Sequence, residues 1–168
     1  KGYFTDWIEV LKSGIEKLID NPSPRERSYT PKDGTAPFFQ DLCNWQRIPE
    51  FEEFIFNSDI GEVASKLMQS NVSRFFHDHV LVKEPGSSIV TPWHQDQSYY
   101  CTSGNQTISF WIPLDNISLN NTLSCISGSH NWGKLHKPKR FDGTDLFEND
   151  NSEDVPDIDN NLDKYKIL

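Results

Sequence analysis

Apolar positions along the chain keep two rhythms, and the change between them divides it. Near the start, Trp7, Leu11, Ile15 and Leu18 recur at almost fourfold spacing, with Ile8 and Ile19 widening the stripe. That period predicts an amphipathic helix stopped by Asn21-Pro22. Between Asn21 and Gln40 the pattern fades. Four prolines there (Pro22, Pro24, Pro31, Pro37) predict a loop running over a surface. A short helix is expected after Pro49, through Phe51, Phe54 and Ile55. Another starts from a cap at Ser58 or Asp59 and places Ile60, Val63, Ala64, Leu67 and Met68 on one face.

Near Ser73 the rhythm shortens. Val80, Leu81 and Val82 form a β-like run closed by Lys83-Glu84-Pro85-Gly86, which is turn chemistry. Thr107–Leu114 (TISFWIPL) is the strongest strand candidate, ended by Pro113 and Asp115, and Thr122–Ser127 is a second, closed by Gly128. Residues 1–72 are therefore expected as helices and loops packing outside a sheet. Residues 73–168 are expected as a mainly β, sheet-on-sheet core. No internal repeat is visible.

Composition narrows the function classes. The 168 residues carry 16 Lys+Arg against 25 Asp+Glu, a net charge of −9, which argues against nucleic acid as a partner. No apolar run approaches the ~18–20 residues of a membrane span, and no signal-peptide pattern opens the chain. Cys43, Cys101 and Cys125 are odd in number and far apart, which argues against a disulfide framework and fits a reducing cytoplasm. Nine acidic residues fall between Asp142 and Asp163. They read as a solvated insertion loop, since the alternative of a cation-binding loop lacks the EF-hand spacing.

The chemistry concentrates in Pro92-Trp93-His94-Gln95-Asp96-Gln97-Ser98-Tyr99-Tyr100. On a strand, His94 and Asp96 emerge from the same face. An imidazole nitrogen and a carboxylate oxygen so placed are two of the three ligands of a 2-His-1-carboxylate triad, a donor set that suits Fe(II) and leaves positions open. Taken alone, H-x-D also reads as the polar face of a surface strand.

The surrounding blocks favour the metal-site reading. Phe76-His77-Asp78-His79, Lys83-Glu84-Pro85-Gly86, Pro92 to Tyr100, Ser109 to Asp115 and Gly128-Ser129-His130 come in an order that resembles the phytanoyl-CoA dioxygenase family. The resemblance covers roughly Phe75 to Trp132 and implies a double-stranded β-helix, a jelly roll of the cupin type. It implies Fe(II), 2-oxoglutarate as co-substrate, O₂, and hydroxylation of a small organic substrate. Carried over by position, it makes His94 and Asp96 the first iron ligands. Trp111 resembles the aromatic flanking the 2-oxoglutarate site. Lys83 takes the position of a polar contact there, though a lysine before Pro-Gly also reads as solvated. Tyr99 reads equally as pocket lining and as a cross-strand aromatic.

The chain departs from the family at the distal end. The resemblance implies a second ligand histidine well downstream, followed by an arginine that clamps 2-oxoglutarate. Here the last histidine is His136 and the last arginine Arg140. The expectation is an incomplete jelly roll cut before that ligand, inactive alone, with unpaired strand edges that favour a homo-oligomer. Two alternatives stand beside the enzyme. One is a cupin-like metal binder using His77, His79 and His94, and the other is a non-catalytic binding module. The acidic stretch, repelling anions, points to a neutral or cationic substrate.

Overall fold

The structure, a computed structural model, describes residues 3–148 and 150–168. Lys1, Gly2 and Asn149, the last within the acidic stretch, lie outside the described residues. The chain divides into two compact units, Lys1–Ile89 and Val90–Leu168, whereas the apolar pattern changes character earlier, near Ser73. No helix among the described residues is long and apolar enough to cross a membrane.

The first unit contains the helices the pattern predicts. Helix α1 (Ile8–Asp20) buries Leu11 and Leu18 of the predicted stripe together with Gly14, while Ile15 is half-buried. It packs on α2 (Pro49–Asn57), which begins with proline in its first turn, where no backbone N–H is missed. Gly14 sets the approach of the two helices, because a Cβ there would stand 2.6 Å from the Phe51 ring. Phe54 takes the edges of Phe4 and Trp7 at centroid distances of 5.4 and 5.7 Å. Helix α3 (Ile60–Leu67) follows directly and buries Ala64.

The stretch expected as a plain surface loop ends instead in a strand. Strand β1 (Phe38–Leu42) pairs antiparallel with β2 (His79–Lys83), from Phe38↔Lys83 to Leu42↔His79. Two of its buried side chains are polar, Gln40 and Asp41, so apolar alternation could not reveal it. Asp41 accepts hydrogen bonds from the Ser23 amide at 2.7 Å and the Ser23 hydroxyl at 2.5 Å. Gln40 joins the Arg27 carbonyl to His79 Nε2. After β2, Ser87 N donates to Glu84 O, with Pro85 and a positive-φ Gly86 between them (φ 87°). Proline then glycine at these two places is type II turn chemistry, as the sequence predicts.

The second unit is built differently. Its regular pieces are short 3₁₀ turns at Asp96–Tyr99, Leu119–Asn121, Ser129–Asn131 and Asp159–Lys164. Thr107–Leu114, expected as the best strand, joins no sheet among the described residues. β-propensity expresses fit to a neighbouring strand, and no neighbour pairs with it there. Thr122–Ser127 is realised in part, through the Ile126↔Ile167 bridge and the Cys125–Leu168 backbone pair.

The acidic stretch is more than a solvated loop. Lys134 pairs with Glu153, Lys137 with Asp145 and Lys139 with Asp154. Ile158, inside the same stretch, is 1% exposed.

Candidate metal centre

The H-x-D pair lies in the second unit, and its backbone explains how the two side chains meet. Gln95 is extended (φ −114°, ψ 124°), so its neighbours on either side leave the chain in the same direction. At Asp96 the chain then enters a 3₁₀ turn instead of continuing as the expected strand. His94 Nε2 and Asp96 Oδ1 stand 3.3 Å apart, with side chains 31% and 49% exposed.

The second polar atom of each group is held elsewhere. His94 Nδ1 lies 2.8 Å from the Pro92 carbonyl, which can only accept, so Nδ1 carries a proton. In the neutral ring, Nε2 then presents its lone pair to Asp96. Asp96 Oδ2 accepts a hydrogen bond from Ser109 Oγ at 2.7 Å. A nitrogen lone pair facing a carboxylate oxygen is repulsive unless a cation, either a proton on Nε2 or a metal ion, lies between them.

The same geometry shifts both groups. The Asp96 carboxylate, helped by the Pro92 carbonyl and opposed by burial, raises His94 above its ordinary 6.5. The His94 ring, with Ser109 assisting and burial opposing, brings Asp96 from 3.8 down to about 2.

One imidazole nitrogen and one carboxylate oxygen, each oriented by an outer partner, fit a divalent iron ion as two of its ligands. Among the described residues no group of three His, Cys, Asp or Glu side chains is arranged to hold a metal. His130 Nε2 contacts Asn131. His136 is 3% exposed, and neither of its ring nitrogens has a hydrogen-bond partner among the described residues.

The other expected site residues fall in both units. Tyr99 stays with the pair, its ring edge-on to His94 at 5.6 Å. Its hydroxyl donates to the Lys139 carbonyl at 2.6 Å and accepts from the Lys139 amide at 3.0 Å, so Tyr99 also acts as a tether. Trp111 lies in the second unit, 46% exposed. Lys83 lies in the first unit, where its Nζ donates to the Ile89 carbonyl and sits 5.2 Å over the Phe38 ring. Burial lowers its pKa.

Sequence reasoning missed three contributors. Gln95 donates from Nε2 to the Lys134 carbonyl and accepts through Oε1 from the His136 amide, at 3.1 and 2.8 Å. It thereby pairs with backbone 39 and 41 residues away much as a strand would. Ser109 and Pro92 complete the set. All three lie inside the blocks quoted above, yet a motif pattern does not tell which side chain bonds to which backbone.

A small cavity of about 170 Å³ lies beside Trp93, lined also by Lys137, Lys139, Pro156 and Ile158. It is below the ~300 Å³ at which ligand pockets usually begin.

The sequence profile of the phytanoyl-CoA dioxygenase (PhyH) family matches residues 3–166. The chain therefore belongs to that family, and its function is of the Fe(II)/2-oxoglutarate oxygenase type. Members generally use Fe(II) and 2-oxoglutarate, and membership implies a small-molecule substrate and O₂. Comparison with curated proteins and with solved structures returns no match.

Proposed function

We propose that the protein is a dioxygenase that hydroxylates a small organic substrate at the expense of 2-oxoglutarate, on the double-stranded β-helix its family implies. The observation that carries this reading is the facing of His94 Nε2 and Asp96 Oδ1 at 3.3 Å with both outer atoms engaged. Bound Fe(II) would supply the redox chemistry and the site for O₂ and 2-oxoglutarate.

The chain's own residues supply orientation. Pro92 keeps the proton on Nδ1, which leaves Nε2 as the donor atom. Asp96, held well below the ordinary carboxylate range, offers an anion at any physiological pH. Tyr99 packs against the imidazole edge and limits its rotation. Trp111 and Lys83 keep the co-substrate roles their family positions suggest.

The acidic stretch gives little guidance on the substrate. Lys134, Lys137 and Lys139 pair with part of it, which weakens the case for repulsion of anions. The cupin-like alternative has no observation in its favour, since His79 is engaged by Gln40 and His77 packs against Phe76.

The test is succinate release from 2-oxoglutarate with Fe(II) and O₂, across a panel of small acids, CoA thioesters and amines. Turnover that disappears in Asp96→Ala is expected. An absence of both 2-oxoglutarate binding and turnover across the panel contradicts the reading.

A further inference from the structure

Asp96 has two carboxylate oxygens, and only one faces His94. The terminal torsion of an aspartate is broad and nearly two-fold, so nothing intrinsic to the residue decides which oxygen points where. In the structure the choice is made by a residue thirteen positions on. Ser109 Oγ lies 2.7 Å from Asp96 Oδ2 and donates its only proton there. Tyr100 OH lies 3.3 Å from the same Ser109 oxygen. Tyr100 also hydrogen-bonds the Asp96 side chain directly, where the carboxylate can only accept, so the phenol proton serves Asp96 as well. Two hydroxyls therefore converge on the carboxylate, Ser109 on Oδ2 at 2.7 Å and Tyr100 beside it.

We propose that Ser109, backed by Tyr100, is a positioning residue that reserves Oδ2 of Asp96 as a hydrogen-bond acceptor and presents Oδ1 alone to the metal. This rests on the iron-site reading above and deepens it. A carboxylate free to rotate can chelate through both oxygens and occupy a coordination position that a co-substrate needs. One held through Oδ2 binds through a single oxygen. Pro92 performs the matching task on His94 by holding Nδ1. Each metal-facing atom is thus selected by occupying its alternative, with a backbone carbonyl in one case and a side-chain hydroxyl in the other. Outer partners of this kind commonly tune metal affinity by about 10–100-fold.

The experiment is a titration with Co(II), a spectroscopic substitute for Fe(II), read by calorimetry and by the visible d–d absorption that reports coordination number. Ser109→Ala is expected to weaken Co(II) binding about tenfold, at the lower end of that range because Ser109 is exposed. Its d–d bands should also shift relative to wild type. Ser109→Thr, which keeps the hydroxyl, should restore affinity and spectrum, and Tyr100→Phe should show a smaller loss than Ser109→Ala. Wild-type affinity and spectrum in Ser109→Ala overturn the proposal. So does a loss that Ser109→Thr fails to rescue, because the role would then be packing.

His94→Ala and Asp96→Ala in the same assay separate this proposal from the reading beneath it. If they abolish binding while Ser109→Ala matches wild type, only the positioning role fails. If wild type does not bind Co(II), or binds it as well without His94 and Asp96, the metal-site reading fails and takes the proposal with it.

Discussion

The two units solve the problem of staying folded by different means. In the first, Leu11, Leu18, Phe38, Ile48, Phe51, Phe54, Ala64 and Val80 are buried, and helices α1 and α2 pack against each other. In the second, the buried apolar side chain among the described residues is Ile158. Its order comes from polar tethers: Gln95 to Lys134 and His136, Tyr99 to Lys139, Trp93 to Asp159, and the lysine–carboxylate pairs. The His94–Asp96 pair sits in the tethered unit. Hydrophobic burial is non-directional and holds mass together, whereas hydrogen bonds fix particular atoms. A site that needs one nitrogen and one oxygen aimed at each other is served by the second kind of order.

The sharpest way to break this contrast is truncation of an aromatic in each unit. Phe51→Ala empties a position 5% exposed and should cost about 3–5 kcal/mol in chemical denaturation. Trp111→Ala, at 46% exposure, should stay within about 0.5 kcal/mol. Comparable losses would show that the second unit has a core of its own. A smaller effect is expected from Gln95→Ala, which strands the Lys134 carbonyl and the His136 amide. That should cost about 1–3 kcal/mol and speed hydrogen exchange at the His136 amide, leaving α1 unchanged.

The smallest effect is the pH dependence of the His94–Asp96 pair. Asp96 is lowered to about 2, so its contribution is present above its ordinary 3.8 and is lost as pH falls through about 2. His94 is raised, so its contribution is full below its ordinary 6.5 and is lost as pH rises through the higher folded value. The metal-free pair should therefore stabilise the second unit most between about pH 4 and 6.5. In a thermal melt, His94→Ala should flatten that maximum. An unchanged profile would show that the contact is not formed in solution.

Much of the helical half was legible because its signals are local. The spacing of Leu11 and Leu18, proline at the head of α2 and the Ser58-Asp59 start each act within a turn or two. Strand β1 was hidden because Gln40 and Asp41 are buried by partners at Ser23, Arg27 and His79, which no periodicity announces. Thr107–Leu114 was over-read for the opposite reason, since strand-forming residues make a sheet only where another strand lies alongside.

At the site, His94 and Asp96 were legible because a two-residue spacing across one extended residue brings their side chains together. Ser109 was not, because its role depends on a chain path thirteen residues long. Lys83 lies in the first unit, where it contacts Ile89 and Phe38, partners that no motif announces.

The central claim is that His94 and Asp96 hold iron for 2-oxoglutarate chemistry. Its most direct test is anaerobic calorimetry of 2-oxoglutarate binding with and without Fe(II), in wild type and in Asp96→Ala. The account predicts that 2-oxoglutarate binds wild type only when Fe(II) is present and that this binding is lost in Asp96→Ala. Fe(II)-dependent binding that survives in Asp96→Ala, or an absence of binding to wild type with Fe(II) present, would contradict it.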